Sequence, residues 1–179
     1  MPRADFTIGS GQGASRSPVG RSESSTNGTR DMIARQEMSR PGLRLVIIVG
    51  CGRTGAAIAA AMSETDATVY ILDIDATAFD LLPVGLVDQG HIVPILGDGT
   101  LERDLRRAST QDADVFIAVS GKDTANALSA QIAHHILRVP KVICRLGDPV
   151  MKEMYEGLEL AIVSPTGLVT ELIIDATDG

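Results

Sequence analysis

Three glycines give the first hint of chemistry. Gly50, Gly52 and Gly55 lie in the turn Gly50-Cys51-Gly52-Arg53-Thr54-Gly55, directly after the apolar run 43–49 and at the start of an Ala-rich stretch. In a strand–turn–helix setting this G-x-G-x-x-G spacing cradles a phosphate. Gly50 permits the tight turn. Gly52, with no Cβ, lets the backbone approach a pyrophosphate, and Gly55 lets the helix pack on the strands. The helix N-terminus adds unpaired N–H groups and a partial positive charge. The plainer alternative is a glycine-rich turn without a ligand, but three glycines at this spacing cost helix propensity that packing alone rarely requires.

A second group follows at the distance such a turn needs. The next apolar segment ends Tyr70-Ile71-Leu72-Asp73-Ile74-Asp75, which puts Asp73 23 positions after Gly50. An acid at that place accepts hydrogen bonds from the adenosine ribose hydroxyls, and its charge repels a 2′-phosphate. The expected ligand is therefore NAD(H) or an adenine nucleotide, not NADP(H). Otherwise Asp73 is a solvated strand-end acid. Asp75 either joins it or caps the next helix. Gly97-Asp98-Gly99-Thr100 closes a third strand at the carboxyl edge, where open α/β sheets bind ligands. There Asp98 and Thr100 either line the adenine side or, in the case of Thr100, cap a helix. Ser120-Gly121-Lys122-Asp123 forms the next such loop, with Lys122 either reaching a phosphate or solvated.

Groups for catalysis are not apparent, and no catalytic residue is assigned. A dehydrogenase needs an acid–base group beside its nicotinamide. His91 begins a strand, where a partly buried structural role is expected. His134 and His135 are adjacent in a helix, so they point about 100° apart and cannot clamp one metal. Neither Tyr70 nor Tyr155 has Lys four positions on, and Cys144 lies inside an apolar strand. Past the sheet, the chain to Gly179 offers no second substrate domain. No metal site is expected.

The elements that must position these groups alternate along the chain. Strands are expected over 43–49, 68–72, 91–96, 115–119, 142–145 and 161–163, as apolar runs. Helices are expected over 53–64, 76–82, 100–108, 123–137, 149–156 and 165–176. Pro83, Gly85 and Gly90 punctuate the link to the third strand, and Pro149 suits a first helical turn. This order predicts a Rossmann-like, doubly wound α/β fold: a parallel six-stranded sheet with helices on both faces. The stripe Leu168, Val169, Leu172 and Ile173 on the last helix must be covered by the chain's own sheet or by another subunit.

Composition bounds the rest. Of 179 residues 44% are apolar, only 3% are aromatic and Trp is absent, which suits an aliphatic core under a parallel sheet. Residues 1–42 are rich in Gly, Ser, Arg, Thr and Pro and read as a disordered tail, apart from a short possible helix near 31–38. The first 44 residues carry a net +3 and the remainder −10. Such an acidic body does not suit nucleic-acid binding. Two cysteines without CxxC spacing suggest a reducing compartment. No secretory leader and no span of ~20 apolar residues is seen, so a soluble cytoplasmic protein is expected, reaching a membrane only through a partner.

Together the blocks VIIVGCGRTGAAIA, VYILDID, GDGTLERDLRRA, DADVFIAVSGKDTANALSAQIA, KVICRLGDPVMKEMYEGL and AIVSPTGLVTEL resemble, in order and spacing, the TrkA-N family, from about Leu43 to Leu172. This is the N-terminal lobe of the RCK (KTN) domains that regulate potassium channels and Trk/Ktr transporters. The resemblance implies a ligand-sensing regulatory subunit, not an enzyme, that binds NAD(H), ATP or ADP. It implies pairing into dimers or rings at the inner face of the membrane, beneath a membrane-embedded potassium transporter subunit. In family terms Gly50, Gly52 and Gly55 hold the phosphates, Arg53 meets them and Asp73 holds the ribose; Cys51, Thr54 and Ile74, beside these in the turn and at the strand end, are also expected at the site. Asp98, Gly99 and Thr100 lie near the adenosine, Ser120 and Lys122 in the next loop, and Arg145, from CRLGDP, near the phosphates. GDGT replaces the commoner GDAT, and no TrkA-C lobe follows in this sequence, so 43–179 reads as one domain. The alternatives are a small NAD-dependent oxidoreductase and a stand-alone nucleotide-binding assembly module.

Overall fold

A computed structural model describes residues 44–155, 157 and 159–177. The expected tail, with its short helix near 31–38, lies outside the described residues. The elements run β1 (Arg44–Val49), α1 (Arg53–Ser63), β2 (Ala67–Asp73), a 3-10 helix (Ala76–Leu81), α2 (Val84–Asp88), β3 (Ile92–Leu96), α3 (Glu102–Arg107), a 3-10 turn (Thr110–Asp112), β4 (Val115–Ala118), α4 (Asp123–Gln131) continuing as a π-helix (Ile132–Ile136), β5 (Lys141–Arg145), α5 (Pro149–Tyr155), β6 (Ala161–Val163) and α6 (Pro165–Thr177).

The six strands form one sheet in the order β3-β2-β1-β4-β5-β6, every pairing parallel. This is the Rossmann-like order expected. β1 lies between β2 and β4, with Val49 level with Leu72 on one side and Ala118 on the other. The chain reverses its direction of travel across the sheet there, and the crevice at a carboxyl edge opens at such a switch point.

Side chains of β1 alternate between two cores. Ile47 and Val49 join Leu72, Phe116 and Leu105 on one face, while Val46 and Ile48 join Val69, Ile71 and Ile117 on the other. Both faces are buried, which is why the strands read as unbroken apolar runs rather than alternating ones. α1 approaches closely because Gly55, Ala56 and Ala59 form its buried side. Both thiols are fully buried within these cores. Burial, reinforced by the Asp73 charge, pushes the Cys51 thiol up to about 11. Burial and then Asp123 push Cys144 up to about 12.

Four local expectations differ from what is observed. The link after Pro83 contains a helix, α2, with Pro83 at its N-cap, and Gly90 at φ +76° follows it. His91 precedes β3 and is exposed; its backbone, not its ring, does the structural work, with N–H donating to Leu86 O and C=O accepting from Val69 N. Thr100 does not cap α3, whose N-cap is Leu101. The Thr100 amide and hydroxyl both donate to Asp98 Oδ1, at 2.9 and 2.7 Å, closing an Asx turn one residue ahead of that N-cap. The fourth long helix is α-helical only to Gln131.

The α6 stripe is only partly covered among the described residues, where Leu168 is half-buried. Val169, Leu172 and Ile173 are more than half exposed. Among the described residues no helix is long and apolar enough to cross a membrane.

Gly99 explains the departure GDGT. An alanine Cβ there would collide with Val49 Cγ1 and lie 2.9 Å from Val49 Cγ2, and valine's stiff χ1 gives it little freedom to yield. Gly99→Ala is therefore expected to destabilise by about 1–3 kcal/mol, as overpacking does, read as a lower denaturation midpoint with unchanged slope. The thiols offer a second check. At pH 8 both are expected to resist a thiol-specific disulfide reagent until denaturant is added, since buried thiols held protonated are poor nucleophiles; rapid labelling of the native chain would contradict the burial described.

Candidate nucleotide site

Four loops at the carboxyl edge converge on the switch point and enclose a cleft of about 520 Å³. Its walls come from the ends of β1 (Val49, Gly50, Gly52), β2 (Leu72 to Asp75, with Ala78), β3 (Gly97 to Thr100) and β4 (Val119 to Lys122, with Ala125).

The three turn glycines answer to different constraints. Gly50 has φ +103°, and a Cβ on it would lie 2.7 Å from the Ser120 backbone. Gly55 faces the Gly50 carbonyl so closely that a Cβ would overlap it. These two are dictated by the fold. Gly52 is not: its φ of −72° and ψ of −176° suit any residue, and a Cβ there meets nothing within 4 Å. Sterics within this chain do not require glycine at that position; a helix N-cap favours it over alanine, and a ligand approaching the turn would require it.

Gly52 is the N-cap of α1, and the first bond across it runs from Ala56 N to Gly52 O at 2.9 Å. The amides of Arg53, Thr54 and Gly55 precede that bond, the arrangement in which a helix start presents donors to an anion. The Cys51 amide is used differently. It donates to Asp73 Oδ2 at 2.7 Å, while the Asp75 amide donates to Asp73 Oδ1 at 3.0 Å. A carboxylate has about four acceptor positions, so two remain for other donors such as ribose hydroxyls. Cys51 Sγ turns inward to the Ala78 carbonyl at 3.4 Å.

Neighbouring acids are similarly tied. Asp75 Oδ1 accepts from the Thr77 amide and hydroxyl, capping the 3-10 helix as one of its two expected roles required. The Thr100 hydroxyl and then its amide hold the Asp98 carboxyl below the usual carboxylate range. Asp104 accepts from the Asp98 amide at 2.9 Å and pairs with Arg107 at 3.5 Å, and Arg107 reaches the Leu96 carbonyl. The β3 loop thus carries its own scaffold.

Of the residues expected at the site, Gly50, Gly52, Asp73, Ile74, Asp98, Gly99, Thr100, Ser120 and Lys122 line the cleft. Cys51, Arg53, Thr54, Gly55 and Arg145 are not among its walls. Arg53 and Thr54 are exposed on the first turn of α1. Arg145 points its Nη1 at the Ser120 carbonyl, 2.8 Å away. Asp75, given two roles by the sequence, lines the cleft as well as capping; Ala78, Val119, Gly121 and Ala125 line it without having been singled out. Asn126, also missed, is fully buried beneath it and bonds Ser120 at both N and O. Its only sequence signal is a polar residue on the inward side of a helix start. Among the described residues no cluster of three metal-ligating side chains occurs.

Comparisons with known proteins bear on the family and the fold. The TrkA-N domain family profile matches residues 46–165. The Trk system potassium uptake protein TrkA of Streptomyces coelicolor is 35% identical over 119 residues, covering 66% of this chain and 52% of that protein. The chain thus spans about half the length of that relative. The TrkA-N domain of the inner membrane protein ybaL from Escherichia coli superposes with a TM-score of 0.65 at 14% identity, over 76% of this chain and 98% of that one. The GsuK channel bound to NAD gives a TM-score of 0.55 at 15% identity, over 76% of this chain and 25% of that one. At such identities the two structures speak for the fold, whereas the profile spans most of the chain and every wall of the cleft: the chain belongs to the TrkA-N domain family.

Proposed function

We propose that this chain is a nucleotide-sensing regulatory module of a potassium-uptake transporter or channel, binding NAD(H) or ATP/ADP at the carboxyl-edge cleft. The observation that carries the reading is Gly52. It opens α1 with no steric need of its own to be glycine, beside a helix start that offers amides to phosphate. Asp73, 2.7 Å from the Cys51 amide, supports a ribose at the far side of the same turn. The NAD named for the GsuK structure and the potassium uptake named for the S. coelicolor relative fit this assignment.

In this reading the module binds rather than reacts. It acts in the cytoplasm, at the inner face of the membrane, through a membrane-embedded potassium transporter subunit. The exposed part of the α6 stripe suits a homodimer or a larger ring. Ligand exchange shifts the population between two assembly geometries by its differential affinity for them. The Asp73 bridge supports such coupling, because the carboxylate that faces a ribose also holds the phosphate turn.

Calorimetric titration of NADH, NAD⁺, ATP and ADP is expected to show saturable binding. Asp73→Ala is expected to weaken it by roughly tenfold to a hundredfold, the worth of one or two charge-assisted hydrogen bonds. If wild type binds none of the four, the assignment fails. Gly52→Ala separates ligand from fold. It is expected to change stability by no more than about 1 kcal/mol, because its backbone suits alanine while a helix N-cap prefers glycine, and nucleotide binding is lost. A Gly52→Ala chain destabilised by more than about 2 kcal/mol, or one that binds normally, would mean that Gly52 serves the fold instead.

A further inference from the structure

We propose that residues 30–40 of this chain dock on the exposed face of its own α6 and hold that face against a second copy. The docking goes beyond nucleotide binding; only its competition with a second copy rests on the assembly reading above. α6 runs for 13 residues, none of them buried. Val169, Leu172, Ile173 and Ile174 are each more than half exposed. Isolated helices shorter than ~12–15 residues are marginal in water, because nucleation costs more than so few turns return. The last two turns of α6 therefore need a cover.

The chemistry of α6 specifies that cover. Glu171 and Asp175 lie one turn apart on one side of the helix, and each is three positions from Leu168 or Leu172, so they flank the stripe. Carboxylates four apart repel, and residues 165–177 contain no Lys, Arg or His to relieve them. The complementary surface is apolar with basic groups beside it. A second α6 brings the same carboxylates. The chain beyond residue 44 carries nine basic against nineteen acidic residues, so another copy is acidic as a whole. Residues 30–40 match instead. Arg30, Arg35 and Arg40 are interspersed there with Met32, Ile33 and Met38, and the segment stays net positive with Asp31 and Glu37 included. Methionine adapts to irregular apolar surfaces.

The tether favours the chain's own segment over a free partner. Residues 30–43 lead directly into β1 at Arg44. That length of chain reaches up to about 50 Å. β1 and β6 are three strand spacings apart in the sheet, about 14 Å. Such a tether supplies an effective concentration on the order of millimolar, so even a weak contact fills within one chain before a more dilute second copy competes.

The test uses the full chain. Both native thiols are buried, so a nitroxide reagent labels Ser39→Cys at that position alone. The amide signals of residues 168–176 are expected to broaden, and to recover when the nitroxide is reduced. Arg30→Ser, Arg35→Ser and Arg40→Ser together, or Leu172→Ser with Ile173→Ser on the exposed face, are expected to abolish the broadening. Absence of broadening at α6, or its persistence in the triple arginine variant, would overturn the docking. A nitroxide-free, isotopically labelled chain mixed with the nitroxide-labelled one is expected to stay sharp at α6. Broadening in that mixture would show the segment on a second copy and overturn the intrachain form. In sedimentation equilibrium the triple arginine variant is expected to self-associate about tenfold more tightly than wild type, since its stripe is no longer occupied. Equal self-association would overturn the competition. Wild type and variant both monomeric at every concentration, with broadening intact in wild type, would overturn the assembly reading and leave the docking in place.

Discussion

There is no room for a single carbon atom between Gly55 and the carbonyl of Gly50, and the site depends on that contact. It draws the first turn of α1 against the end of β1. Gly50 in turn lies against the backbone of Ser120, so the end of β4 meets the same point. Helix start, central strand and neighbouring loop are thus brought together where the strand order reverses. The crevice is the space left beside that junction, and its depth and orientation follow from two absent side chains. Close-packed interiors tolerate little change at such places.

Around this junction, each carboxyl-edge loop is held by its own polar side chain. Asp73 holds the glycine turn, Asp98 folds onto Thr100, and Asn126 and Asp123 hold the loops after β4 and β5. The loops are thus fixed within the chain, while two acceptor positions of Asp73 and the first amides of α1 are left over. A site built this way loses little conformational entropy on binding, which is the usual source of affinity in a preformed cleft. The carboxylates gather near β2 and β3 and the free helix amides lie at α1, so the polarity runs in the sense that suits a ribose at one end and a phosphate at the other.

Much of this was legible in the residue order because a parallel sheet buried on both faces writes its strands as continuous aliphatic runs, and β1, β4 and β5 do so plainly. The glycine spacing and Asp73 were legible for a related reason: both are local to a strand end. What escaped notice has equally physical causes. α2 spans five residues, too few for a helical period to show, and Gly85 within it argues against a helix. Thr100 has the chemistry of a cap, but it closes an Asx turn with Asp98 and lies one residue before the N-cap, Leu101. Arg145 and Asn126 meet Ser120 across 25 and 6 positions of chain, and no pattern of residue types encodes which carbonyl a side chain will choose.

Pro94 lies in β3, the outermost strand on the β2 side, level with Ile71. Proline has no amide hydrogen, and strands tolerate it where that nitrogen faces away from the neighbouring strand. The outer margin of β3 is therefore short of a donor along a strand of only five residues. Uncontrolled growth of the sheet from chain to chain, the route by which open edges lead to insoluble fibres, is blunted at this margin. The exposed aliphatic side chains of α6 can then coexist with a strand margin that does not recruit other strands.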